Sequence, residues 1–150
     1  MAAVLHDIGK IHVPDHVLST PGKLTREQWQ VLIRHTVWGA EFLENHGGFE
    51  LAATVARSHH ERWDGTGYPD ALSGDDIPEG ATIVTVADAF DAITSERPNK
   101  DSRPIDEAVQ EIRAFSGKQF SPRVVAALSR LYEQGKLGGE KRLATIEQAA

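Results

Sequence analysis

Between Ala81 and Ser95 the chain places Ile83, Val86, Ala87, Phe90 and Ile93 on one face of a 3.6-residue period, and this repeat constrains the fold more than any other feature. The opening of the segment, ATIVTV, is β-branched enough for a strand. The apolar face nevertheless runs on for roughly four turns, longer than an ordinary strand, so the segment reads as a helix. Other helices follow the same logic. Thr25 and Gln28 form a T-x-x-Q capping pattern, and Trp29, Leu32, Ile33, Ala40 and Leu43 continue at helical spacing until Gly47-Gly48, predicting one helix across that span. Ala52, Val55, Ala56 and His59 predict a second, from about Phe49, that delivers His59 and His60 at its C-terminal end. Pro104 precedes Ile105, Ala108, Val109, Ile112 and Phe115. Ser121-Pro122 opens a last helix with Val124, Val125, Leu128 and Leu131, up to Gly135. No two strand patterns are convincing enough to pair, so the expected fold class is all-α.

Residues 61–80 read as loop, residues 1–135 as one domain, and residues 136–150 as a tail or short final helix. Ala2 to Ile8 is apolar and ends at Gly9, but it supplies fewer than two turns, which is marginal unless packing holds it. Either it packs deep in the domain or it is the tail of a longer helix.

Composition narrows the function. The formal charge is −6 and the 16 Lys and Arg are scattered, which argues against a nucleic-acid polymer or an anionic membrane as partner. No apolar run approaches the roughly 20 residues that span a bilayer, and Met1 is not followed by a signal-peptide pattern, so a cytoplasmic protein without membrane insertion is expected. With no cysteine, any metal must be held by imidazole and carboxylate, which turns attention to the seven histidines.

Taken singly, these residues have plain readings. His12, His16 and His46 fall in loops or at a helix end and read as surface histidines; His35, on or near an apolar stripe, reads as a hydrogen-bonded core residue. Asp7 and Asp88 are harder to dismiss, because a carboxylate embedded in an apolar helix is costly to bury without a partner. Grouped, His6, Asp7, His35, His59, His60 and Asp88 form a donor set suited to one or two transition-metal ions with open positions for water.

Six stretches in order, HDIGK at 6–10, PGKLT at 21–25, His35 with Gly39, HHERWDGTGYP at 59–69, VADAFDA at 86–92 and RPNK at 97–100, resemble the HD-GYP family of the HD phosphohydrolase superfamily. The match runs from about Ala3 to Leu128, and HHE followed by D-G-x-G-Y-P is highly specific. The resemblance implies an HD-domain helical bundle of about five to seven helices, the hydrolysis of cyclic di-GMP to linear pGpG or GMP, and a bacterial cytoplasmic setting. It also implies two divalent metal ions, iron or manganese first, with zinc, nickel or magnesium as other candidates.

By that resemblance Asp7 bridges both ions. Asp7, His35, His59 and His60 match the ligands of one, while His6, Asp7 and Asp88 are part of the set for its neighbour. Paired cations activate a water for in-line attack and neutralise a phosphodiester oxygen. Lys10 matches a lysine that faces the scissile phosphate, making Asp7 and Lys10 the catalytic candidates, though a surface lysine is its plain alternative. Lys10, Tyr68, Arg97 and Lys100 are the substrate-binding candidates. Tyr68 lines the cleft or packs a turn, and Arg97 and Lys100 contact phosphate or guanine or merely complement a helix end. Asp64, Gly65, Gly67, Pro69 and Asp91 are supporting motif residues, the two glycines supplying backbone conformations that a side chain would forbid.

The pattern is broken upstream. The family carries further ligands on a helix well before the HD pair, whereas only five residues precede His6 here. The bundle is therefore expected to be truncated at its N-terminus and to lack those helices, with one metal position complete at four ligands and its neighbour reduced to three. A homodimer would cover the apolar surface left open. Asn99, Thr36 and Ser121 stand where the family often has tyrosine, proline and aspartate. The competing readings are a catalytically weak module that binds ligand or a GGDEF-type signalling domain, and a phosphohydrolase for another cyclic dinucleotide or nucleotide.

Overall fold

The structure, a computed structural model, describes residues 1–96 and 101–137. Arg97, Asn99, Lys100 and most of the expected tail lie outside the described residues.

Among those residues the chain is all helical. In order come α1 (Ala2–Leu5), a 3-10 turn (Ile8–His12), α2 (Asp15–Leu18), α3 (Arg26–Leu32), α4 (His35–Glu44), α5 (Glu50–Ser58), a second 3-10 turn (Gly74–Asp76), α6 (Glu79–Thr94), α7 (Ile105–Ala114) and α8 (Pro122–Glu133). The segment with strand-like composition is α6, because its apolar face packs at helical period against α7 and α8. Val86, Ile93, Ala108, Ile112, Phe120 and Val125 form that core. A second cluster of Leu43, Ala52, Ala53 and Ala56 joins α4 to α5, and Ala2 and Leu5 of α1 pack against it while Val4 faces outward. The short N-terminal helix is thus held by one face on α5.

The helix predicted from Thr25 to Gly47 is two helices. Its start is as read: Thr25 Oγ1 accepts from the Gln28 amide and the Gln28 side chain accepts from the Thr25 amide. At Ile33 and Arg34 the bonding tightens, with the Arg34 and Thr36 amides donating to Val31 and Ile33 three residues back. The Leu32 carbonyl freed by this change is taken by Nδ1 of His35, at 2.7 Å. The break therefore begins α4 with a fixed, fully buried histidine.

Close approach sets the remaining geometry. A Cβ on Gly9 would meet the His35 carbonyl oxygen at 2.0 Å and the Gly39 nitrogen at 2.5 Å, so the first 3-10 turn lies directly on α4. One on Gly39 would lie 3.5 Å from the Ala56 Cβ of α5. Small residues bring the 3-10 turn, α4 and α5 together at one point, and each of these elements starts or ends at a candidate ligand.

Candidate metal centre

Asp7 occupies the junction between α1 and the first 3-10 turn, and its two oxygens face different neighbours. Oδ1 lies 3.3 Å from Nε2 of His35 and 3.6 Å from Nε2 of His59. Oδ2 lies 3.4 Å from Nε2 of His6 and 2.6 Å from Nζ of Lys10. Burial alone would raise the Asp7 pKa, but His35, His59, His6 and Lys10 outweigh it and hold the group far below the usual carboxylate range.

Three of the imidazoles are oriented by the same device. Nδ1 of His6, His35 and His59 lies 2.6, 2.7 and 2.9 Å from the carbonyls of Ala3, Leu32 and Ala56, each three residues earlier in the chain. A carbonyl can only accept, so Nδ1 carries a proton in each ring, and Nε2 is the atom turned toward Asp7. Oδ1 of Asp7 and Nε2 of His35 and of His59 are indeed buried without a hydrogen-bond partner, and their separations lack hydrogen-bond alignment.

His60 completes the group. Ligand atoms of Asp7, His35, His59 and His60 all lie within 4.8 Å of one another, an all-nitrogen-and-oxygen set that could hold a metal ion. Burial, reinforced by His59 and His35, pushes the His60 pKa down to about 3, so the ring is neutral and able to ligate. His6 and Asp88 are not in that four-residue set. His6 has a raised pKa, chiefly through its contact with Asp7, and the charge of Asp88 on α6 adds to it.

The loop after His60 is tied back to the centre. Glu61, which sequence reasoning passed over, is only 2% exposed, and its carboxylate accepts from the amides of Asp70 at 2.7 Å and Leu72 at 3.1 Å. The residue type was the available signal, since an acid next to two ligand candidates has to be paired or bonded if it is buried. Thr85 of α6 donates to the His59 carbonyl, and Arg57 makes a two-point contact with Asp70.

The motif residues of the loop fall into place individually. Tyr68 stacks on His60 with ring centroids 4.9 Å apart, and the peptide bond to Pro69 is cis. Burial and the charge of Asp7 raise the Tyr68 pKa, so the phenol keeps its proton. Asp64 accepts from the amide and hydroxyl of Thr66 and from Arg62, which brings its pKa to about 2. Gly65 has φ +75°. Gly67 does not share that conformation, contrary to the expectation for both glycines: its constraint is crowding, since a Cβ there would meet the Arg62 nitrogen at 2.4 Å and the His60 carbonyl oxygen at 2.6 Å. Asp91 is exposed and accepts from the Ser95 hydroxyl at the end of α6. Among the described residues no helix is long and apolar enough to cross a membrane.

The chain is similar to known proteins in sequence and in fold. A family model described as HD domain matches residues 1–124. The chain is 47% identical over 135 residues to the cyclic di-GMP phosphodiesterase of Thermotoga maritima, covering 89% of this chain and 37% of that protein. It is 48% identical over 132 residues to the cyclic di-GMP phosphodiesterase response regulator RpfG of Xanthomonas campestris, covering 87% and 35%. With the 3'3'-cGAMP-specific phosphodiesterase 2 of Vibrio cholerae it shares 38% over 135 residues, covering 89% and 26%. The chain thus spans little more than a third, or less, of the length of these relatives. The crystal structure of a cyclic GMP-AMP specific phosphodiesterase of Vibrio cholerae (V-cGAP3) superposes with a TM-score of 0.69 at 23% identity, over 97% of this chain and 41% of that one.

Proposed function

Because the chain belongs to the HD domain family, in its HD-GYP branch, we propose that it is the catalytic part of a metal-dependent phosphodiesterase that hydrolyses cyclic di-GMP in the bacterial cytoplasm. The observation that carries this reading is the division of Asp7, one oxygen toward His35 and His59 and the other toward His6 and Lys10. A carboxylate so placed can serve two cations at once. Asp7, His35, His59 and His60 would hold the first, with His6 and Asp88 supplying a less complete set beside it; the donors suit iron, manganese and zinc alike, and the family resemblance puts iron or manganese first. Bound there, the cations supply an activated water and neutralise a phosphodiester oxygen.

The remaining chemistry belongs to the chain. Hydrolysis joins the water oxygen to phosphorus and breaks the bond to the leaving ribose oxygen, which takes up a proton. Lys10 would turn its ammonium from Asp7 to the negative charge that develops on phosphorus. Tyr68, protonated and stacked on His60, lines the approach to the centre. Arg97 and Lys100 remain candidates for contacts to phosphate or guanine, and residues 1–135 are taken as the catalytic unit. A GGDEF-type diguanylate cyclase is the signalling partner that this reading expects, since such a domain makes the substrate.

The test is to load the protein anaerobically with iron or with manganese, measure metal per chain, and follow cyclic di-GMP and 3'3'-cGAMP by product analysis. Faster turnover of cyclic di-GMP with two metals per chain is expected. No turnover with both positions filled would overturn the enzyme reading in favour of a binding module, and preference for 3'3'-cGAMP would move the substrate.

A further inference from the structure

Beside the centre stands an aromatic side chain that the metal chemistry does not use. Trp29 on α3 is 47% exposed, and its ring meets Tyr68 edge to face at 5.9 Å, while Tyr68 stacks on His60 at 4.9 Å. The three rings form a stair from a candidate ligand outward to solvent. A half-exposed tryptophan forgoes much of the apolar burial that such a side chain ordinarily contributes. The helix that carries it has no buried residue at all. It is held instead by the Thr25–Gln28 capping box and by the Gln28 side chain donating to Thr20. A helix placed by polar ties, with its one aromatic set against the motif tyrosine, is built to present that ring rather than to bury it.

We propose that Trp29, its ring propped edge to face by Tyr68, is a stacking platform for a purine base of the dinucleotide whose phosphodiester reacts at Asp7. This rests on the phosphodiesterase reading above. Base stacking on an aromatic face tolerates any purine, so the platform supplies affinity and orientation, while discrimination between guanine and adenine falls to hydrogen-bonding groups elsewhere. The position fits the substrate's chemistry: a base sits one ribose away from the phosphate, as Trp29 sits one ring beyond the ring that touches His60.

The test compares GMP with ribose 5-phosphate, which has the same phosphate and sugar without the base, by calorimetric titration of manganese-loaded protein. Wild type should bind GMP more tightly. Trp29→Ala should weaken GMP binding roughly tenfold or more, within the range of base–aromatic stacking, and leave ribose 5-phosphate and metal content unchanged. Trp29→Phe should restore most of the loss. Equal weakening of both ligands by Trp29→Ala would show a merely structural role for the indole and overturn the proposal, as would equal affinity of wild type for both. A protein that prefers GMP through Trp29 yet never hydrolyses cyclic di-GMP would sink the enzyme reading and leave the platform standing.

Discussion

Nε2 of His35 faces Oδ1 of Asp7 across 3.3 Å, and neither buried atom has a hydrogen-bond partner. With Nδ1 engaged by the Leu32 carbonyl, a cation held by both groups would satisfy the two together. His59 stands in the same relation to the same oxygen, so one ion there would serve three orphaned atoms.

Metal should therefore stabilise the fold. At a hundredfold excess over Kd, manganese is expected to raise Tm by roughly 5–10 °C, the shift that binding to the native state alone implies for a domain of this size. Asp7→Ala should abolish both the shift and bound metal, whereas Asp88→Asn should keep at least one ion per chain. Scanning calorimetry with elemental analysis reads both, and equal metal retention in the two variants would contradict the bridging role of Asp7.

Lys10 bonds Asp7 at 2.6 Å yet is nearly half exposed, a position from which it can move to substrate. Lys10→Gln should lower kcat about 10²- to 10³-fold, the usual cost of losing one group that stabilises developing charge, with metal content unchanged. Loss of metal in this variant would place the lysine in the structure of the centre instead.

Glu61 holds the loop after the paired histidines by two amides. Glu61→Ala removes the acceptor of both part-buried amides, and a destabilisation of about 1–3 kcal/mol is expected, together with metal affinity weakened about 10- to 100-fold. Glu61→Gln keeps one carbonyl acceptor and should recover part of each. Urea unfolding and metal titration measure them, and an alanine variant as stable as wild type would remove Glu61 from this role.

Asp64 gives a pH dependence with a defined sign. Its pKa falls from 3.8 to about 2 on folding, through Thr66 and Arg62, so its contribution is fully present above about pH 4 and is lost as pH drops toward 2. The stability difference between wild type and Asp64→Asn, followed by denaturant midpoints in metal-free protein, should shrink across that window. A difference that stays constant with pH would mean that the carboxylate charge is not what holds the turn.

The helices were legible wherever one apolar face and one stop signal coincided, as in α6 and in the capping box at Thr25. The division between α3 and α4 was not, because Ile33 and Arg34 keep helical dihedrals and the apolar period runs across them. What changes there is the partner of a single carbonyl, which leaves no mark on composition. The donor residues of the centre were visible as types, but their convergence depends on contacts between Gly9, Gly39 and Ala56 that lie far apart in the chain. Glu61 and Trp29 were hidden for opposite reasons: an acid's burial and an indole's exposure are both decided by neighbours brought in from elsewhere.

Those three small residues have a consequence for which ion the protein accepts. The histidines are locked to backbone carbonyls three residues before them, and α4 abuts the 3-10 turn and α5 through residues too small to yield. The spacing of the donors is thus a dimension of the scaffold, like the jaw of a fixed wrench, and it sizes the cation. Enlarging Gly39 or Ala56, neither of which is a candidate ligand, would press on the Gly9 backbone or the buried core and move the donors without touching one of them.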